Sequence, residues 1–159
     1  MEKELTKQLN WYYYGMMVLT LISATLGYLL TKQWNLIVPI EVMDELGHPN
    51  SIAQVIQYVV IVDALFFIPM GLYGFKRRVD KIRRIEDETE KYAKYKKEAI
   101  IRIILVSNTM VLGMFAFYLL NGYQSMLWVS AIAAIGWYFT KPTPRKIQLE
   151  LLPPDEETY

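Results

Sequence analysis

The sequence predicts an all-α, polytopic membrane protein: four transmembrane helices in an antiparallel bundle, with helices 2 and 3 extended into a cytoplasmic helical hairpin. Three observations predict it. Four long apolar runs hold almost no charge: none between Lys7 and Lys32, Asp63 alone between His48 and Lys76, and none between Arg102 and Lys141. A hydrocarbon layer of about 30 Å needs about 20 helical residues per crossing. Of 17 Lys and Arg residues, only Lys32 lies between the first two runs. Positive charge is retained in the cytoplasm, so both termini and segment 76–102 are expected there. Finally, KRRVDKIRRIEDETEKYAKYKKE lacks Gly, Pro, Asn and Ser, the residues that interrupt helices.

The 159 residues form a single membrane domain. Span one covers about 11–30. WYYY at its inner end and Trp34 past its outer end suit the aromatic belts of a bilayer. Ser23 and Gly27 form a small-xxx-small pair that admits a close neighbour. The run is too long for a secretory leader and ends without a cleavage-type site, so it reads as a retained span. In the outer loop, 31–51, Trp34, Leu36, Ile37, Val38 and Ile40 are expected along the membrane surface. Gly47, Pro49 and Asn50 mark a turn, and Ser51 is the expected cap of span two.

Span two covers about 52–75, with Pro69 placed to kink it because it lacks a donor N–H. The hairpin, 76–98, must reverse the chain. Its best turn is Ile85–Thr89, where Asp87 and Glu90 have capping-box spacing. Val79, Ile82 and Ile85 can then pack against Tyr92 and Tyr95. Span three covers about 99–120, with Arg102 expected to snorkel to the cytoplasmic surface. Asn121-Gly122 is a tight turn, and span four covers about 123–140. The tail, 141–159, opens on Lys141-Pro142-Thr143-Pro144, which stops the span. RKIQLELL has the pattern of a short amphipathic helix on the membrane surface, and PPDEETY of a disordered end.

Composition excludes more than it names. There is no cysteine, hence no disulfide, thiolate metal site or thiol redox chemistry. His48 is the single histidine. A metal site there would need Glu41, Asp44 or Glu45, and the plainer reading is a solvated loop. No phosphate loop, nucleophile elbow or zincin motif occurs. No cofactor is implied, and no set of acid, base and nucleophile can be assembled, so the chain reads as a non-enzyme.

Asp63 stands near the middle of span two, where an ionised carboxylate is costly. It is either a proton or cation site, or an acid that ties helices together by hydrogen bonds. Thr20, Ser23, Asp63, Asn108, Thr109 and Ser130 all fall within about 3 Å of the midplane at ~1.5 Å per residue. Asn108 is the strongest partner, because an amide in hydrocarbon also needs a hydrogen bond. Arg102 lies roughly 11 Å nearer the cytoplasm, too far for a direct pair with Asp63. Lys76, Arg77, Arg78, Lys81, Arg83 and Arg84 form a basic cluster suited to anionic lipid headgroups. Nucleic acid is not the expected partner, since the acids of 86–90 follow at once.

YKKEAIIRIIL and YFTKPTPRKIQLEL together resemble a loose group of small bacterial four-span membrane proteins with no assigned activity. The resemblance covers at most the last 65 residues and implies a bacterial inner (cytoplasmic) membrane. That group tends to carry an acid near the position of Ser107, so no functional residue transfers. The small four-span multidrug transporters need an acid in their first span, and this first span has none. Two functions follow: a non-enzymatic membrane subunit or adaptor docking partners through its hairpin or tail, or a small oligomeric ion- or proton-coupled transporter or channel using Asp63. Expected partners are membrane lipids, other membrane or cytoplasmic subunits, or a second copy.

Overall fold

The computed structural model describes residues 2–37, 39–43 and 48–152. The expectations placed on Val38, Asp44, Glu45, Gly47 and PPDEETY lie outside the described residues. The helices are α1 (Glu2–Tyr28), α2 (Ser51–Pro69), α3 (Phe75–Ile82), α4 (Glu88–Leu119), α5 (Gln124–Phe139) and α6 (Pro144–Leu151). Among the described residues there is no strand, only an isolated bridge between Met43 and Pro49. Two π turns, Leu29–Gln33 and Met70–Gly74, prolong α1 and join α2 to α3.

The result is three continuous rods, Glu2–Gln33, Ser51–Ile82 and Glu88–Leu119, each of 32 residues and about 48 Å at ~1.5 Å per residue. All three are long and apolar enough to cross a membrane. The most apolar stretch of α4 is 44% buried, against 17% for the first rod and 11% for the second. That difference makes α4 the centre, with α1, α2 and α5 packed around it. Gly113 is one reason α5 comes so close. A Cβ there would stand 3.0 Å from Ser130 Cβ and 3.2 Å from its Cα.

Local chemistry sets the ends of the rods. Asn50, not Ser51, caps α2: its extended backbone turns the side-chain carbonyl onto the N–H groups of Ile52 and Ala53, which a serine already inside the helix cannot reach. Asp87 caps α4 by accepting from the N–H of Thr89 at 2.9 Å. The hairpin reverses between Ile82 and Glu88. Pro69 cannot donate to the carbonyl one turn back, and the helix absorbs the gap as a π turn. Asn121 (φ 51°) and Gly122 (φ 81°) are both left-handed, and the Gly122 N–H closes α4 on Phe117 O at 2.8 Å.

Two apolar cores lie at opposite ends. At the loop end, Ala53, Val60, Ala116, Leu120 and Met126 are buried, with Ile40 and Val42 packed on them. The loop thus folds inward there, pinned by Ile40 N–H to Leu119 O at 2.8 Å. Trp34 and Leu36 stay exposed. At the hairpin end, Leu5 and Leu9 of α1, Phe75, Val79 and Ile82 of α3, Tyr95 and Ala99 of α4, and Ile147 and Leu151 of α6 form a second core. Ile85 and Tyr92 border it.

This second core changes two expectations. Helix extends well before the 11–30 span, running from Glu2 and burying Leu5 and Leu9. RKIQLELL is a helix, but its apolar edge faces protein rather than lipid. Ile147 is fully buried, because the hairpin and the start of α1 offer it a dry surface.

Candidate functional site

One turn of α4 gathers the polar side chains expected at one depth. Asn108 donates from Nδ2 to Asp63 Oδ1 at 3.0 Å. Thr109 donates from Oγ1 to Asp63 Oδ2 at 2.6 Å. Ser130 of α5 donates to Met110 O at 2.9 Å, and Ser23 of α1 donates to Val111 O at 3.3 Å. Four consecutive residues, 108–111, therefore hold α2, α5 and α1 to α4. A helix turn takes 3.6 residues, so four neighbours point around its whole circumference.

Of the six residues placed at one depth, the structure brings Asp63, Asn108 and Thr109 together. Ser130 and Ser23 share their level but bind backbone carbonyls on other sides of α4. Thr20 donates to Met16 O at 3.0 Å on its own helix, and Ser107 to Ile103 O at 2.7 Å on its own. The layer surrounds α4, not Asp63. Both oxygens of the half-buried Asp63 are taken by protein donors. The set has one carboxylate, one amide and one hydroxyl. Its chemistry is hydrogen bonding between helices.

A second polar cluster lies inside the hairpin end. Arg102 does not snorkel outward: its side chain is 5% exposed. The guanidinium stacks 3.7 Å over the Phe75 ring, reaches Glu150 Oε1 at 3.2 Å and donates to Thr140 O at 3.4 Å. The reason is α6, which delivers a carboxylate to this depth. Tyr95 also donates its hydroxyl to Glu150, and Arg83 donates to Glu150 O at 2.7 Å and Leu149 O at 3.3 Å, capping the end of α6. Burial, then the Glu150 charge, holds the Tyr95 hydroxyl well above the ordinary range. Burial, then the Arg102 charge, lowers Lys146.

The basic cluster divides. Arg78 turns inward to Glu98, Nε to Oε2 at 2.5 Å, and Arg83 is engaged by α6. Both are drawn from the headgroup set by protein acceptors. Lys76, Arg77, Lys81 and Arg84 are exposed. Beside α6, an open cleft of about 490 Å³ is lined by Glu2, Glu88, Lys91, Tyr92, Arg145, Gln148 and Leu149, among others. His48 is exposed in the loop.

Glu150 and Glu2 are the residues that sequence reasoning missed. Glu2 accepts from Tyr92 at 3.2 Å and Gln148 at 2.6 Å. The available signal was the i, i+4 spacing of Leu5–Leu9 and Ile147–Leu151, which marks a buried edge on each segment. No protein family, curated protein or solved structure matches the chain.

Proposed function

We propose that this chain is a non-enzymatic integral membrane subunit or adaptor. It crosses the membrane four times, with alternating directions and both ends in the cytoplasm, and docks a partner through its cytoplasmic base. The bacterial inner membrane is its expected home. The observation that carries this reading is the base itself: among the described residues, nine of the nineteen buried apolar ones lie there, at or beyond the cytoplasmic edge of the proposed bilayer. A chain that only had to span would gain little from a separate core braced by α1, α3, α4 and α6.

Helix register supports the alternation. Ser23 and Gly27 of α1 meet Val111 and Tyr118, so α1 and α4 rise together. Asp63 and Gly71 of the second rod meet Asn108 and Val106, in falling order. Ser130 and Gly136 of α5 meet Gly113 and Val106, also falling.

The transporter alternative asks Asp63 to exchange ions or protons. Against it stand the two donors already seated on the carboxylate. The test compares two variants in purified form. Lys91→Glu with Leu149→Ser, on the rim of the base cleft, is expected to lose a cross-linked cytoplasmic partner while the helical spectrum is unchanged. A pH-dependent flux in proteoliposomes that Asp63→Asn abolishes would replace the adaptor reading with the transporter one.

A further inference from the structure

We propose that the second rod carries a phospholipid site: an acyl chain in a slot between α2 and α5, and an anionic headgroup on Lys76 and Arg77. The proposal rests on the membrane-spanning reading above and adds to it a specific ligand. Two adjoining hollows make the argument. The first, about 310 Å³, is walled by Ile61, Ala64, Ile68, Val129 and Ile132, with Pro69 at its end. The second, about 560 Å³, also begins at Pro69 and continues along Tyr73, Lys76, Arg77 and Asp80.

Both have Pro69 in their lining, so end to end they offer a path that is apolar at one end and cationic at the other. From Ala64 to Lys76 it runs about 18 Å at ~1.5 Å per residue, close to one leaflet of a hydrocarbon layer about 30 Å thick. Tyr73, 75% exposed, marks the level where aromatic rings meet headgroups. This polarity gradient is that of a phospholipid, not of a free anion, which has no use for the apolar half.

Charge selects the headgroup. Arg78 is paired with Glu98 and Arg83 with the end of α6. Asp80, on the rim, faces Arg83 at 3.7 Å, which offsets its charge. Lys76 and Arg77 are exposed and have no protein partner among the described residues. Each basic side chain at an anionic membrane surface favours binding by about fivefold, so the pair gives roughly 25-fold.

The test measures lipids retained by the full chain purified in detergent, using native mass spectrometry with phosphatidylglycerol and phosphatidylcholine supplied together. Wild type is expected to keep phosphatidylglycerol, preferred by on the order of 25-fold. Lys76→Gln with Arg77→Gln should erase the preference. Ala64→Phe, which fills the slot, should reduce retention of both lipids; Ile132→Trp fills it from the exposed side of α5 should Ala64→Phe disturb folding. Lys3→Gln with Lys7→Gln removes equal charge elsewhere and should change neither. Equal retention of both lipids by wild type, displacement by excess inorganic phosphate, or an equal effect of the Lys3 and Lys7 changes would each overturn the site. Retention in detergent is read without reference to topology, which cysteine labelling tests separately.

Discussion

Asp63 makes both of its hydrogen bonds to one neighbouring helix, and its two donors are not equivalent. Thr109 can turn its hydroxyl to a carbonyl on its own helix when the acid is removed. Asn108 has no such refuge, and a buried amide without a partner is costly. The expected result is coupling: Asp63→Leu and Asn108→Leu each destabilise, and the double variant loses less than their sum by about 1 kcal/mol. Reversible unfolding of the four proteins in mixed micelles measures it. Strict additivity would contradict the clamp. This pair was legible in the sequence because depth and chemistry coincide, leaving an acid and an amide nowhere else to bond. Glu150 was not legible. A tail carboxylate 48 residues from Arg102 looks like any solvated acid until α6 is seen to fold back.

At the scale of elements, α4 succeeds as a hub because small residues face it. Gly113→Leu would drive α5 outward against Ser130, and overpacking of this kind costs about 1–3 kcal/mol. Gly113→Ala should cost less, since only one carbon must be accommodated; equal thermal stability of wild type and the leucine variant would contradict the close contact. The base makes a different prediction, in pH. Buried Tyr95 keeps its proton above the value near 10 at which an unfolded tyrosine loses it. Its contribution is therefore intact below pH 10 and declines above it, by up to about 1.4 kcal/mol per pH unit. Tyr92, raised by burial and Glu2, acts in the same direction. Lys146, lowered by burial and Arg102, acts oppositely, since the unfolded chain binds its proton more tightly up to about pH 10.5. Tyr95→Phe should be less stable at neutral pH by about 1 kcal/mol yet lose stability less steeply above pH 10. Parallel curves by circular dichroism would contradict the buried hydroxyl. A helix end was readable where a cap fixes it, as at Asp87. The helical start of α1 was hidden, because its mixed charge obscures the Leu5–Leu9 edge.

For the whole molecule, the proposed four crossings turn on α5, with 16 residues and about 24 Å of helix at ~1.5 Å per residue. That is short of a layer of about 30 Å. The proposed four-span reading has it cross nonetheless, and two features of its surroundings suit that reading. It lies along α4 from Gly113 to Val106, and its other face exposes Trp128, Ile132, Ile135, Tyr138 and Phe139, an apolar stripe with aromatic ends. Local thinning absorbs a mismatch of this size at modest cost. The sequence carried this much, since no charge falls between Arg102 and Lys141; packing, which sequence alone does not display, supplies the neighbour. The absence of cysteine makes the test clean, because any introduced thiol is unique. Leu36→Cys and Ser125→Cys should react with a membrane-impermeant maleimide on intact cells. Glu86→Cys and Arg145→Cys should react only after permeabilisation. If α5 instead returned without crossing, Arg145→Cys would label with Ser125→Cys from outside, and the tail helix could not share a compartment with the hairpin it packs against.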